Sequence, residues 1–254
     1  DCLLLDVGEV VEFAGGAANV ARNLELFGAD VFLASGGRVD SPLIKNRVIQ
    51  DGRTILRFDQ GTKLNSIFSR YDGDKLSGLH SWDAVVVSDY AKGSITDYVA
   101  QWVQELRVPT YVDCKVRPER WVYWATCMFP NEQEYVNNVS TYKKANKVLV
   151  KRGKHGALLF LKDFEHRLEA PSLTAVCVNA TGAGDTALAA FVIADLVLDE
   201  YAEFDRKLEF AMQASALAVE SSTTFAGTLQ DIINRFNLGQ DSVASIIKER
   251  LKTI

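Results

Sequence analysis

NATGAGDTALAAFVIADLVL, residues 179–198, joins a glycine-rich turn that carries one acid directly to a long apolar run. A helix that is apolar on every side is buried, and its first turn presents free backbone N–H groups and a positive dipole end to an anion. Gly182 and Gly184 allow such an anion to approach the backbone closely. Asp185 in the same turn is expected to have a lowered pKa. An anion site and a plain tight turn with a helix-stabilising acid explain the motif equally well.

Short β-branched runs alternate with helical patterns on both sides of this stretch. These patterns predict strands at 31–34, 84–88, 110–113, 147–151 and 157–161, and helices at 17–27, 95–106, 183–198, 207–221 and 241–252. Strands that alternate with helices indicate an α/β fold with a mostly parallel sheet covered on both faces. Ligands then bind beyond the carboxyl ends of the strands. Site residues are therefore expected in the strand-to-helix turns.

The composition indicates a single globular domain and excludes several classes of partner. The chain has 254 residues, 48% hydrophobic and 24% charged, which suffices for a full core. A net charge of −5 gives no reason to expect nucleic acid or an anionic membrane as partner. No apolar stretch approaches the ~20 residues of a membrane span. With no recognisable signal peptide, a cytoplasmic location is expected. The cysteines are widely separated and are expected to be reduced thiols: Cys2, Cys114, Cys127 and Cys177.

Residues 43–61, LIKNRVIQDGRTILRFDQG, interrupt the alternation. The Asp-Gly pair in their middle is a strong hairpin signal, so two antiparallel strands are predicted here, with residues 9–16 as a candidate third strand. Alternation places Lys45 and Arg47 on one face of the first strand, and Arg57 points to one face of the second. A solvated outer face and a lid over an anionic substrate explain this pattern equally well.

Polar residues follow three other predicted strands. Asp89 follows the strand at 84–88, and Asp113 and Lys115 follow the strand at 110–113. Asn131 is a natural helix N-cap with Glu134 three residues later, which alone indicates no more than a capping box. Carboxylates, amides and ammonium groups at neighbouring strand ends suit a site for phosphate, sugar or metal.

Three motifs in this order resemble those of the ribokinase, or PfkB, family of sugar kinases. They are GGAANVA at 15–21, N-x-x-E at 131–134 and TGAGDT at 181–186. Within that family the chain is similar to the heptose 7-phosphate kinases, through GGAANVARN at 15–23, K-x-R-V at 45–48, LRFD at 56–59, SDYAKG at 88–93, DCK at 113–115 and AGT at 226–228. The resemblance implies one three-layer α/β/α ribokinase-like kinase domain over residues 1–254. It also implies a small antiparallel β lid, with strands around 9–16 and 43–61.

The resemblance also implies roles for individual residues. Asp185 is the expected general base, with the backbone of Gly182, Ala183 and Gly184 holding the transferred phosphoryl group. The expected substrate contacts are Gly16, Asn19, Lys45, Arg47, Arg57, Asp89, Asp113 and Lys115, of which Lys45, Arg47 and Arg57 meet a phosphate already on the sugar. The expected nucleotide contacts are Asn131, Lys151, Gly156, Thr181 and Gly227. Glu134, with Asn131, is expected to organise Mg²⁺ through water, and the lid is expected to form a homodimer.

Departures from the family pattern leave alternatives open. The family's first strand has no match here, and the stretch between Gly36 and Lys45 is shorter than in the family. Asn179 and Cys114 stand where an acid and a proline are usual. No residues remain for the nucleotidyltransferase half of bifunctional relatives. The favoured interpretation is ATP-dependent phosphorylation of heptose 7-phosphate at its anomeric hydroxyl. The alternatives are a PfkB kinase of ribose, fructose or a nucleoside, and a non-catalytic PfkB-like protein that binds a partner or senses a sugar phosphate.

Overall fold

The computed structural model describes residues 8, 10, 12, 15–34, 44–50, 53–61, 81–164, 166–198, 203–221, 224 and 227–250. Strands β1 (Ile44–Gln50) and β2 (Arg53–Gln60) form a separate antiparallel pair. The main sheet contains β3 (Val85–Asp89), β4 (Thr110–Cys114), β5 (Cys127–Met128), β6 (Val148–Lys151), β7 (Ala157–Phe160) and β8 (Arg167–Ala170), in that spatial order. Strands β3 to β6 are parallel and β7 and β8 antiparallel. The predicted mostly parallel sheet is confirmed.

Helices cover both faces of this sheet. They are α1 (Ala17–Leu26), α2 (Asp97–Glu105), α3 (Glu132–Asn137), α4 (Val139–Tyr142), α5 (Ala183–Val197), α6 (Phe204–Glu220), α7 (Leu229–Phe236) and α8 (Val243–Arg250). Alternate residues of β4 enter two different cores, since Tyr111 packs with α1, α5 and α6 whereas Val112 packs with α2. The α/β/α arrangement expected from the resemblance is confirmed.

Helix α5 is the central buried helix, as residues 179–198 predict. Every residue from Asp185 to Ala194 is buried, and alanines at 187, 189, 190 and 194 let neighbouring helices approach closely. The helix packs against α1 and α6. Its N-terminus therefore lies at the carboxyl ends of the parallel strands, where a site is expected.

The hairpin predicted over residues 43–61 is present as β1 and β2. Its register places Arg47 opposite Arg57 and Val48 opposite Leu56, with an irregularity after Val48. The Asp-Gly turn between the strands, and most of the candidate strand at 9–16, lie outside the described residues. Ile44, Leu56 and Phe58 are exposed to nearly half their area on the apolar face of the pair.

Some sequence-based assignments are wrong or incomplete. Residues 31–34 form no strand; a strand needs a hydrogen-bonded neighbour, and within the described residues the sheet ends at β3 without pairing with this segment. The edge strand β8 and the helix α7 were not predicted, because β8 is short and largely exposed and α7 has only eight residues. None of the described helices is long and apolar enough to cross a bilayer.

Candidate active site

The carboxyl ends of β3, β4 and β6 and the N-termini of α3 and α5 surround one cleft. Its volume is about 260 Å³. The cleft is lined by Tyr90, Asp113, Lys115, Asn131, Lys151, Gly153, Gly182, Gly184 and Asp185. The cleft lies at the strand ends, where the site is expected.

Asp185 is held from both sides in the first turn of α5. Asn19 donates from Nδ2 to Oδ2 at 2.9 Å, and the Tyr90 hydroxyl donates to Oδ1 at 3.0 Å. Asp185 is only 8% exposed. Two donors and burial fix the orientation of this carboxylate.

The pKa of Asp185 lies above the ordinary range of an aspartate. Burial is the largest cause, and the negative charge of the nearby Asp113 raises the pKa further. The hydrogen bond from Asn19, the charge of Lys151 and the hydrogen bond from Tyr90 lower the pKa but do not offset burial. The expectation that the helix dipole lowers this pKa is therefore wrong, because desolvation of the carboxylate outweighs the favourable contacts. A raised pKa makes the carboxylate a better acceptor for a proton.

The turn before α5 requires glycine at position 182. Gly182 has φ 88°, and a Cβ there would lie 2.2 Å from the carbonyl oxygen of Thr224. Asn179 Oδ1 accepts the backbone N–H of Thr181 at 2.9 Å, so the side chain of Asn179 caps this turn. The following N–H groups lie in the first helical turn, where no acceptor within the helix is available, and they can bind an anion.

Buried polar contacts tie α1 to α5 behind the carboxylate. The hydroxyl of Thr224 donates to Asn19 Oδ1 at 2.9 Å, and Asn23 Nδ2 donates to the backbone oxygen of Asn19 at 2.8 Å. Thr186 donates its hydroxyl to Asn23 Oδ1 at 3.1 Å. Both polar atoms of the Asn19 side chain thus take part in the contacts around Asp185, and a contact of Asn19 with a sugar stays a prediction.

Asp113 holds two ammonium groups in the cleft. The residue is 2% exposed; Oδ2 contacts Lys151 Nζ, and Oδ1 lies 3.4 Å from Lys115 Nζ. Lys115 Nζ also lies 3.1 Å from Glu134 Oε1. Burial disfavours the charged form of Lys115, but the carboxylates of Asp113 and Glu134 outweigh burial and raise its pKa. Lys115 is thereby held in its cationic form, and Lys151 pairs with the same Asp113 carboxylate.

The ammonium of Lys151 lies beside the glycine turn. A Cβ at Gly184 would be 3.6 Å from Lys151 Nζ. The amides of the α5 N-terminus and this ammonium thus present positive charge to the same part of the cleft. The arrangement suits the oxygens of a phosphoryl group.

Asn131 and Glu134 form a reciprocal capping box at the start of α3. Each side chain accepts the other residue's backbone N–H at 2.8 Å. The other oxygen of Glu134 lies against the ammonium of Lys115. This oxygen therefore remains available to a cation in the cleft and is not used in the capping box. Within the described part of the chain, no three His, Cys, Asp or Glu side chains converge on one metal position. This donor set fits an Mg²⁺ ion held mainly by phosphates and water.

The lid turns its basic face toward the cleft. Lys45 Nζ lies 5.7 Å from the centroid of the Tyr90 ring, and Arg47, two residues further along β1, shares the face of Lys45. Arg57 lies directly opposite Arg47. Neither arginine belongs to the lining of the cleft.

Comparison with known proteins decides the family. Residues 84–230, more than half of the chain, match the model of the pfkB family carbohydrate kinases. The chain belongs to the PfkB family. It is 27% identical to the bifunctional protein HldE of Aliivibrio fischeri over 97% of this chain and 60% of HldE. This PfkB kinase thus spans about 60% of the length of that relative.

Solved structures show the same fold. Phosphofructokinase-2 of Escherichia coli, in complex with substrates and products, superposes with a TM-score of 0.67 at 18% identity, over 92% of each chain. Ribokinase of Arabidopsis thaliana, complexed with ribose and ATP, gives a TM-score of 0.52 at 21% identity, over 76% of this chain and 64% of that one. The fold inferred from the motifs is that of the ribokinase-like kinases.

Several predicted ligand residues of the kinase lie outside the lining of the cleft, among them Asp89, Gly156 and Gly227. Asp89 is buried and accepts the Ala91 N–H at 2.9 Å. Gly156 has φ 79°, and a Cβ there would lie 2.0 Å from the Ala170 carbonyl oxygen, so β7 and β8 require glycine. Gly227 precedes the capping box of α7; Ala226 beside it lies outside the described residues. Their ligand contacts stay predictions.

Sequence reasoning missed two residues of the cleft lining, Gly153 and Tyr90, and Tyr90 is the one that contacts Asp185. It directly follows β3, lines the cleft and contacts Asp185. Its ring also helps to explain why position 16 is a glycine. The φ of Gly16 is 56°, and a Cβ there would lie 3.3 Å from two carbons of the Tyr90 ring. The available signal was an aromatic residue next to Asp89 at the end of a strand.

Proposed function

We propose that this PfkB kinase transfers the γ-phosphoryl group of ATP to the anomeric hydroxyl of a sugar that already carries a phosphate, with heptose 7-phosphate as the favoured acceptor. The observation that carries the proposal is the basic face of the lid. Arg47 and Arg57 lie directly opposite each other on the face of the hairpin that also carries Lys45. The planar fork of an arginine suits the oxygens of a phosphate.

Asp185 is the proposed general base. It accepts the proton of the acceptor hydroxyl while the new O–P bond forms and the bond between the γ-phosphoryl group and ADP breaks. The amides of Gly182, Ala183 and Gly184 and the ammonium of Lys151 stabilise the charge on the transferred group. Phosphoryl transfer depends mainly on such positioning and charge stabilisation. The raised pKa and double hydrogen bonding of Asp185 support this role.

Nucleotide and sugar are proposed to enter from different sides of Asp185. On the nucleotide side we place Asn131, Lys151, Gly156, Thr181 and Gly227, with Glu134 and Asn131 facing Mg²⁺ through water. Mg²⁺ supplies charge neutralisation of the phosphates when bound. On the sugar side we place Gly16, Asn19, Lys45, Arg47, Arg57, Asp89, Asp113 and Lys115. A reaction that consumes ATP and a sugar phosphate suits the cytoplasm, which is the location we propose.

The choice of a heptose phosphate is supported by the subgroup motifs rather than by the fold. K-x-R-V at 45–48 and SDYAKG at 88–93 resemble the heptose 7-phosphate kinases. The similarity to HldE proteins points the same way at 27% identity. The proposal covers the kinase reaction alone, because this chain spans 60% of the HldE length.

An acceptor screen tests the proposal. ADP release is measured with heptose 7-phosphate, its unphosphorylated heptose, ribose, fructose, fructose 6-phosphate and a nucleoside. We expect the heptose 7-phosphate to give the highest kcat/KM. Activity that is equal on the unphosphorylated heptose, or that prefers ribose or a nucleoside, contradicts it. Activity on no acceptor favours a non-catalytic binding protein.

Substitution at Arg47 links the screen to the lid. Arg47→Ala is expected to raise KM for the sugar phosphate about tenfold or more and to leave KM for ATP unchanged, since a charge-assisted pair contributes roughly 1.5–3 kcal/mol. Lys45→Ala is expected to act in the same direction. The matched control is Arg167→Ala, which removes an exposed arginine from the edge strand β8 and is expected to leave both KM values unchanged.

A further inference from the structure

Tyr90 contacts three charged side chains at the cleft, those of Asp185, Lys45 and Lys115. Its hydroxyl donates to Asp185 Oδ1 at 3.0 Å. Lys45 Nζ of the lid lies 5.7 Å from the ring centroid, and Lys115 Nζ lies 5.5 Å from it. Gly16 leaves room for the ring edge. One side chain thus touches the carboxylate, the lid and the lysine that pairs with Asp113.

We propose that Tyr90 is a positioning residue that orients the Asp185 carboxylate through its hydroxyl and couples that carboxylate to the lid through its ring. The proposal rests on the assignment of Asp185 as general base. It adds a residue to which the motifs assign no role. It also explains why an aromatic residue lies where β3 ends.

The hydroxyl part of the proposal follows from the geometry of the carboxylate. The last torsion of an aspartate side chain is broad and weakly restrained. Asn19 on Oδ2 and Tyr90 on Oδ1 fix this torsion together. A carboxylate has about four lone-pair sites, so each oxygen keeps one for the proton of the acceptor. Without the Tyr90 hydroxyl, Asn19 is the one side-chain donor that still holds the carboxylate among the residues that the structure describes.

The direction of the hydrogen bond is settled by the surroundings of Tyr90. Burial, and then the negative charges of Asp185 and Asp113, raise the pKa of the Tyr90 hydroxyl. The phenol therefore stays protonated and donates to the ionised carboxylate. The charged groups that also face Asp185 are Lys151 and Asp113. Among the described contacts, Lys151 Nζ pairs with Asp113 Oδ2, whereas Oδ1 of Asp185 accepts its hydrogen bond from Tyr90.

The ring part of the proposal follows from the position of Lys45. A cation over an aromatic face is attracted by the ring quadrupole. When Lys45 approaches Tyr90, the basic face of β1 is brought over the cleft, and the hydroxyl of the same ring holds the carboxylate. Binding of the acceptor phosphate by the lid is thereby coupled to the orientation of Asp185.

Two substitutions at position 90 separate these parts. Tyr90→Phe removes only the hydroxyl. We expect kcat to fall about tenfold or more, the size of one hydrogen bond to a charged group, with the acceptor KM unchanged within twofold. The acid limb of the kcat–pH profile is expected to move to higher pH, because the lost bond favoured the ionised carboxylate. Tyr90→Leu removes the ring as well and is expected also to raise the acceptor KM.

A double variant tests the coupling to the lid. Lys45→Ala and Tyr90→Leu are each expected to raise the acceptor KM. The double variant is expected to raise KM no further than the larger of the two single effects, because both changes remove the same contact between Lys45 and the ring. Fully multiplied KM effects overturn the coupling. The control is Tyr123→Phe, which removes the hydroxyl of a tyrosine that is 66% exposed and accepts a hydrogen bond from Lys144 on the surface. It is expected to match the parent enzyme.

Asp185→Asn in the same assays separates this inference from the proposed function. If Asp185→Asn keeps its activity, the proposed general base is wrong. If Asp185→Asn is inactive while Tyr90→Phe keeps the parent kcat and pH profile, the base stands and the role of Tyr90 is overturned. ATP affinity and melting temperature are expected to be unchanged in Tyr90→Phe. Loss of either identifies Tyr90 as a residue of structural importance only and also overturns the proposal.

Discussion

At the scale of single residues, the carboxylate of Asp185 shows how burial overrides a local rule. The first turn of a helix favours an anion by a fraction of a kcal/mol to about 2 kcal/mol. Removing a carboxylate from water costs more than this, so the pKa of Asp185 is raised despite its two donors. The residue is thus prepared to take up a proton, and the same burial moves its protonation to higher pH than in an ordinary aspartate.

Asp185→Asn is expected to lower kcat at least ~10²-fold, the usual contribution of a general base. The asparagine has the same shape, so ATP affinity measured by calorimetry should stay unchanged. In the parent enzyme kcat is expected to rise with pH through the Asp185 pKa, and the acid limb should lie above the ordinary aspartate range. A loss below tenfold, with ATP affinity intact, contradicts the assigned role.

Asn179 leads to a prediction about monovalent cations. Its carbonyl oxygen caps the turn at Thr181 and it carries no charge, whereas a hard cation is held largely by charge. We therefore expect weak or no activation by K⁺, and Asn179→Asp is the variant expected to introduce it. The measurement is kcat with K⁺ exchanged for a bulky organic cation at constant ionic strength. A tenfold drop in the parent protein contradicts the prediction.

At the scale of elements, a buried charge cluster joins two strand regions to two helices at the other end of α5. Asp195 Oδ2 lies 2.9 Å from Lys147 Nζ, and Oδ1 lies 2.9 Å from Lys207 Nζ. Tyr111 donates its hydroxyl to Oδ2 at 2.9 Å. Lys207 is fully buried, so both lysines depend on one carboxylate. The cluster connects β4, the start of β6, α5 and α6.

Asp195→Asn is expected to destabilise the fold by about 3–5 kcal/mol, because two buried ammonium groups lose their counter-charge. Burial opposes ionisation of Asp195, but the two lysines prevail and lower its pKa. Its contribution to stability is therefore present above the unfolded-state pKa and lost as the pH falls through the folded-state pKa. Urea unfolding at several pH values measures both effects. Asp205→Asn, the same change on the exposed first turn of α6, should cost below ~1 kcal/mol.

At the scale of the whole molecule, the lid leaves an apolar face without a partner in the described structure. Ile44, Leu56 and Phe58 are each exposed to nearly half their area, and Val48 faces the same way by register. A two-stranded sheet is barely stable alone, and its edges invite pairing. The opposite, basic face carries Lys45, which lies 5.7 Å from the ring centroid of Tyr90 in the cleft. A single small sheet can thus serve the substrate on one face and assembly on the other.

We predict a homodimer in which this apolar face meets that of a second copy. Light scattering at micromolar concentration should give twice the mass of the chain, and Phe58→Glu should give the monomer because a charge is then buried in the interface. Glu105→Gln, a polar change on α2 remote in sequence from the lid, is the control. A strictly monomeric parent protein contradicts the prediction.

The sequence by itself determined the α/β architecture, the buried helix α5 and the gathering of polar residues at strand ends. These follow from hydrophobic periodicity and from the backbone chemistry of helix N-termini, which are local properties of the chain. Only the tertiary structure decided the pKa of Asp185, the pairing of Asp113 with two lysines and the contact of Tyr90. The donors of Asp185 lie 166 and 95 residues away along the chain. Burial and contacts at such separations arise only when the helices pack, so no local pattern carries them.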